Sequence, residues 1–279
     1  MMWSLLYLTA VLSALVLLPG WAMISAGGYW KRWDRLQRWI LAAGLGIAFY
    51  PVLFYLTRFI FPWIHYSRAV LLVLNGLFLV IIVLNLRSGL KDQFRFEKAE
   101  FWAIPIFAVI LATRFYIIYL QPYPAWSDSL HHTLLTDIVA RTGILPNTLE
   151  PFEPASLSMY HLGLYSISGT LEMILQIPAH TALLVTAQFL NAMGILGLYF
   201  VISRLTGKIP ALFVLIAGGL LSNLPAVYVN LGRFTQLASQ SILLIAWFVS
   251  FETLKKEDRE LGSKKWDVVS FISAAILNA

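Results

Sequence analysis

The chain has 279 residues, 59% hydrophobic and 12% charged, with a formal net charge of +6. Soluble domains carry about 25% charged residues, so this composition excludes an ordinary water-soluble globular domain and points to a membrane-embedded one. The absence of cysteine excludes disulfides and thiolate metal sites.

Apolar runs of the roughly 20 residues that a helix needs to cross a bilayer recur along the chain. In order, spans are expected near 4–26, 39–61, 69–86 and 101–120, and then near 179–203, 210–230 and 238–254. An eighth begins near Trp266 and stops at Ala279 before it could cross, so the sequence reads as truncated at its C-terminus. The first span has no basic segment before it and no A-x-A-like site after it, which argues for a span over a signal peptide. The expected fold is all-α, a polytopic bundle of about seven to eight spans. Residues 1–100 would form an N-terminal three-span accessory bundle and residues 101–279 the membrane core.

The excess positive charge sorts onto alternate loops. Lys31, Arg32, Arg35 and Arg38 follow the first span; Arg87, Lys91, Arg95 and Lys98 the third; Arg204 and Lys208 the fifth; Lys255, Lys256, Arg259, Lys264 and Lys265 the seventh. Only Arg58, Arg68, Arg141 and Arg233 fall on the other side. The positive-inside rule then places the N-terminus and the loop 121–178 outside the cell membrane. The basic balance is a topology signal and calls for no nucleic-acid partner.

The loop 121–178 runs against that trend, with Asp128, Asp137, Glu150, Glu153 and Glu172 against Arg141 alone. Prolines at 122, 124, 146, 151 and 154 punctuate it. Asp128 or Ser127 can cap a helix over 129–141, ended by Gly143 and Pro146. Leu157, Leu164, Ile167, Leu171 and Ile174 make an apolar stripe that predicts a second helix over 155–176, lying in the membrane interface. The joining segment would overhang the face that carries Asp128. Spaced i, i+3 and i+4, Asp128, His131 and His132 share one helical face. No Gly-rich phosphate loop, G-x-S-x-G or H-E-x-x-H motif is present.

The layout resembles a family. Arg114 near the outer end of a span is followed by Pro122-Tyr123-Pro124-Ala125-Trp126 and by Asp128, which opens a helix. Then come Gly143-Ile144-Leu145-Pro146 and the Tyr160–Tyr165 segment. Over roughly Leu111 to Gln188 this looks like the GT-C superfamily of integral-membrane glycosyltransferases, in its poorly characterised bacterial and archaeal branch. The resemblance implies transfer of a sugar from a polyprenyl-phosphate carrier to an acceptor on the extracytoplasmic side. It also implies a catalytic carboxylate in the first outer loop, with two interfacial helices there. Many relatives have Asp-Glu where this chain has Asp128-Ser129, so a second carboxylate role is missing here or moved to Glu150 or Glu153. The implied partners are a lipid-linked sugar donor, membrane lipid and an unknown acceptor.

Each candidate residue has more than one reading. Asp128 is a general base toward an acceptor hydroxyl, or a plain helix cap. His131 and His132 contact a donor phosphate, or with Asp128 hold a divalent cation (Mg or Mn), or face water. Arg114 pairs structurally with an outer-loop acid, or contacts phosphate. Arg233, with Gln236 and Gln240 one and two turns on, grips the carrier phosphate or anchors in lipid headgroups. Tyr160 and His161 open the second loop helix and, with Glu153, line the acceptor side or anchor at the interface. The alternative from another class is a transporter or permease, with Gly218-Gly219 and Asn191 as its mid-span candidates. A non-catalytic membrane partner of a larger assembly is the third reading.

Overall fold

The computed structural model describes residues 2–27, 33–86 and 96–257. Among them every regular element is a helix, apart from one isolated β-bridge, Thr148 to Ser156. The helices are α1 (Met2–Gly27), α2 (Arg35–Ile60), α3 (Arg68–Leu86), α4 (Lys98–Leu120), α5 (Asp128–Thr142), α6 (Gly163–Leu175), α7 (Ala179–Leu205), α8 (Lys208–Ile216), α9 (Val227–Asn230) and α10 (Phe234–Glu257). Six of them (α1, α2, α3, α4, α7 and α10) are long and apolar enough to cross a membrane. The expected eighth span and the basic residues at 31, 32, 87, 91, 95, 259, 264 and 265 lie outside the described residues.

The apolar helices differ in how much protein covers them. The most apolar window of α7 is 83% buried, that of α3 only 11%. Helix α7 is therefore the hub, while α3 turns Val73, Leu77, Val80 and Leu84 outward. Apolar side chains on such an open face suit lipid, where a hydrocarbon solvent leaves them at no cost. Helices α1 and α2 cross closely. An ideal Cβ on Gly46 would lie 1.6 Å from the Val16 carbonyl oxygen, and one on Gly20 1.8 Å from that of Ala42. Small residues let backbones approach in this way, which raises van der Waals contact where no hydrophobic force joins helices.

A single hydrophobic core runs from Leu12 in α1 through Phe54 in α2 and Tyr165 in α6 to Phe200 in α7 and Val249 in α10. Residues 1–100 thus share their core with the later helices. At the end opposite the long loop, Lys208 draws three helix starts together. Its Nζ lies 3.2 Å from Asp34, 3.0 Å from Glu97 and 3.4 Å from Glu100. Glu100 is 1% exposed and also accepts from the Leu36 backbone N–H at 3.3 Å. A buried carboxylate must be paired in this way or it is strongly destabilising.

Two expectations need correction. The span expected at 210–230 is broken: α8 runs into a wide turn over Ala217–Leu221, leaves helical geometry at Ser222, and is followed by α9, a single turn. Gly218 and Gly219 weaken the helix there, and Pro225 pushes the preceding residue out of the α region. The turn closes with the Ser222 N–H donating to the Ala217 carbonyl at 2.8 Å. Arg114 then donates to the Gly219 carbonyl at 2.8 Å from its Nη2, supplying a donor to a carbonyl at the helix end.

The helix expected over 155–176 forms only over Gly163–Leu175. Residues 147–157 fold back on themselves instead: the Leu149 N–H donates to the Ala155 carbonyl at 3.0 Å and the Leu157 N–H to that of Asn147 at 2.8 Å. Arg58 clamps this fold, its Nε donating to Asn147 Oδ1 at 2.9 Å and its Nη2 to the Leu157 carbonyl at 3.3 Å. Leu157 is therefore a buried anchor of the link, not part of the helical stripe. The stripe itself, Leu164, Ile167, Leu171 and Ile174, is buried, with α6 packed on α2, α5 and α7.

Candidate functional site

Helix α5 spans 128–142, within a residue of the expected bounds at each end. Gly143 ends it with φ +71° and donates its N–H to the Val139 carbonyl at 2.9 Å. Only glycine fits here: an added Cβ would fall 2.0 Å from the Tyr66 carbonyl oxygen, because the α2–α3 link docks on this helix end. The other end carries Asp128, exposed and in the first turn. No side chain caps the helix. A carboxylate in a first turn is favoured by the helix dipole even so.

The face of α5 that packs inward is Ser129, His132, Leu135, Thr136 and Val139. Thr136 Oγ1 and Ser168 Oγ are 2.9 Å apart, and Gly169 lies against the Val139 side chain. His132 is 4% exposed, with Nδ1 2.5 Å from the Tyr165 hydroxyl and its ring edge-on to Phe234 at 5.3 Å. The Gly232 backbone lies near enough to favour the charged ring. Burial lowers the pKa of His132, against the opposing pulls of Gly232 and Asp128. Burial likewise pushes the Tyr165 hydroxyl up, so it stays a donor.

His132 is thus a clasp between α5, α6 and the start of α10. Its Nδ1 is engaged by the Tyr165 hydroxyl and the ring is buried. Among the described residues no three His, Asp or Glu side chains form a metal-holding group. Asp128, His131 and His132 are accordingly not brought together as such a group.

His131 stays at the surface, with Nε2 3.2 Å from Glu153 Oε2. The link therefore does reach back over the start of α5. Both side chains are about half exposed (53% and 52%), so the pair is a solvent-screened contact worth little in stability. Tyr160 and His161 are exposed and precede α6 without opening it. The Tyr160 carbonyl accepts from the Tyr55 hydroxyl at 3.4 Å, and the Leu162 N–H donates to the same hydroxyl at 2.9 Å. Arg114 is buried, bound to a backbone carbonyl and not to an outer-loop acid.

Arg233 is exposed and follows Gly232, which packs on Trp126 and Ser129. The turn before α10 therefore shares a corner with the residues on either side of Asp128. Gln240 is taken up by the Tyr228 hydroxyl at 3.3 Å, whereas Gln236 is exposed.

Beside this corner lies a small cleft, with room for about one water molecule, between the end of α4, the 121–125 link, α7 and α9. Ile117, Ile118, Leu184 and Val229 supply apolar walls, and Gln121, Gln188 and Asn230 three amides. The sequence reading missed this cleft, since its walls come from four separated segments. It also missed Tyr165, Arg58 and the pairing of Asp137 with Glu172.

That last pair lies farther along α5. Burial raises Glu172 to about 7, with the charge of nearby Asp137 adding to the rise. Arg141 Nε donates to Asp137 Oδ1 at 2.8 Å. The folded-state pKa exceeds the unfolded value of 4.5. Below 4.5 the group is neutral in both states; the stability it contributes is lost as pH rises through about 7. Glu172→Gln should therefore match the parent's melting temperature at pH 5 and exceed it at pH 8. The group is partly exposed, so the gap should be only about 2–4 °C. Equal melting temperatures at pH 8 would remove the raised Glu172 pKa from the account.

Comparison with known protein families, with curated proteins and with solved structures finds no match to this chain.

Proposed function

We propose that this chain is a GT-C-like membrane glycosyltransferase, moving a sugar from a polyprenyl-phosphate carrier to an acceptor at the extracytoplasmic side of the cell membrane. The observation that carries this reading is the corner where exposed Asp128 opens α5 beneath the Gly232-Arg233 turn. In this reading Asp128 takes the proton of the acceptor hydroxyl as the sugar–phosphate bond breaks. Arg233 faces the carrier phosphate, with His131 beside it. Glu153, held to His131, and Tyr160 and His161 edge the acceptor side. His132 and Arg114 keep the corner in shape. A carboxylate base and a cationic group some distance apart is the division that such a transfer requires, because leaving group and nucleophile are on opposite sides of the anomeric carbon.

The reading needs the loop 121–178 outside. Single cysteines at Ser158 and Thr206, both exposed and at opposite ends of the bundle, test it in the cysteine-free chain. An impermeant thiol reagent added to whole cells should label Ser158→Cys and spare Thr206→Cys. The reverse pattern would put Asp128 in the cytoplasm and end the proposal. Incubation with a short-chain polyprenyl-phosphate sugar and a panel of acceptors then tests transfer itself.

The break at Gly218-Gly219 is the observation that favours the transport alternative. Transporters pair such breaks in repeated halves. Among the described residues, the six membrane-length helices are continuous.

A further inference from the structure

We infer that Trp126 is a stacking platform for a sugar ring, so that the acceptor is itself a saccharide; this rests on the proposed transferase reading. Trp126 has φ +77°, a left-handed conformation that a bulky side chain adopts only at an energetic cost. Among the described residues the other left-handed position that is not glycine, Gln176, ends α6, where that geometry is common. Trp126 ends no helix: it lies just before α5, two residues from Asp128. The exposed tryptophans Trp63, Trp102 and Trp247 all have ordinary backbone. Anchoring an indole at a membrane surface therefore needs no strain, and at Trp126 the strain maintains a fixed direction of the ring.

The backbone around it is pinned. Ser129 Oγ donates to the Ala125 carbonyl, and the Ser129 N–H donates to that of Trp126 at 3.2 Å. Gly232 closes the other side: a Cβ there would stand 3.3 Å from the Trp126 Cβ. These contacts hold the residue but leave its ring open, since Trp126 is 64% exposed. Tyr123, the nearest aromatic along the chain, is turned to His180 instead, at 4.7 Å. An open indole thus stands at the corner that carries Asp128 and the Gly232-Arg233 turn. An indole face is electron-rich and attracts the C–H face of a pyranose, whose hydroxyls stay at the rim. Two residues of chain span at most about 7 Å, so a ring resting there brings a hydroxyl toward the Asp128 carboxylate. In the proposed chemistry the acceptor is the substrate that meets Asp128. The platform therefore takes the acceptor, and the carrier lipid stays on the Arg233 side.

The test labels the whole chain with fluorotryptophan and reads it by fluorine NMR in lipid nanodiscs. The resonance lost in Trp126→Phe marks this ring; those of Trp102 and Trp247 are assigned in the same way. Methyl glycosides of glucose, galactose and mannose, added singly, should shift the Trp126 resonance for at least one sugar and leave the other two rings in place. Sorbitol, which has the hydroxyls without the ring, should leave it unshifted. In transfer assays with a saccharide acceptor, Trp126→Gly should raise the acceptor KM about ten-fold, as for one aromatic contact, with less change in kcat and in donor KM. It should melt no lower than the parent, because glycine relieves the left-handed backbone. Trp126→Tyr should keep most of the acceptor affinity. No shift with any glycoside, an equal shift with sorbitol, or a parental acceptor KM in Trp126→Gly overturns the inference. So does broadening by nitroxide-labelled acyl chains as strong as at Trp102, which would make the ring a membrane anchor. A rise in donor KM alone overturns the assignment to the acceptor. Failure here with transfer still dependent on Asp128 would remove the platform alone. A glycoside shift with no transfer activity would leave the platform standing and remove the transferase.

Discussion

Asp128→Asn should lower sugar transfer by about 10²- to 10⁴-fold, the usual range for loss of a general base, and leave the fold unchanged. The fold should survive because Asp128 is exposed and no side chain caps α5. Asparagine keeps the size of aspartate and most of its hydrogen bonding, so what disappears is the negative charge and the capacity to take a proton. Its charge also supports His132, whose pKa is pulled up by Asp128. The variant should therefore hold His132 more firmly neutral, with no cost to the Tyr165 contact.

Arg233→Ala makes the contrasting case. It should weaken donor binding by about 2 kcal/mol, roughly 30-fold, and change turnover at saturating donor much less. Initial rates over a range of polyprenyl-phosphate sugar concentrations separate the two effects. Full activity in Asp128→Asn would end its role as base. A turnover loss in Arg233→Ala at saturating donor would place the arginine in the chemical step instead of in binding.

Gly46→Leu should give the largest loss of stability in the molecule. Its side chain would have to enter the space of the Val16 backbone, 1.6 Å from where its Cβ would stand, and a backbone carbonyl cannot move aside as a side chain can. Overpacking of a flexible core costs about 1–3 kcal/mol, so at least about 3 kcal/mol is expected where the neighbour is a helix backbone. Gly76→Leu is the matched control, because nothing lies within 4 Å of a Cβ there. Unfolding in rising SDS should separate the two variants clearly. Transfer activity should fall with Gly46→Leu as well. Helix α2 carries Arg58 and Tyr55, which hold the 147–162 link, so a displaced α2 loosens the roof over His131. Equal stability of the two variants would mean that α1 and α2 do not cross as closely as described.

Much of the helical layout was legible in the chain, because a run of about 20 apolar residues is helical and membrane-length whatever surrounds it. The bounds of α5 were legible for a similar reason: Gly143 is a local stop signal, and Asp is suited to a first turn. The break after α8 was not, although Gly218, Gly219 and Pro225 were its signals. Hydropathy averages the same whether a segment is one helix or two pieces, and Arg114 on α4 supplies the donor at the frayed end.

The azimuth of α5 was decided by tertiary structure alone. Its buried face holds Ser129, His132 and Thr136 along with Leu135 and Val139, so polarity does not tell inside from outside. Helical spacing put Asp128, His131 and His132 on neighbouring positions; the Tyr165 hydroxyl and the Phe234 ring, more than 30 residues away, turned His132 inward and left Asp128 and His131 at the surface. The amide cleft has the same origin. Gln121, Gln188 and Asn230 carry no shared motif, and they meet because the end of α4 and the end of α9 pack against the side of α7.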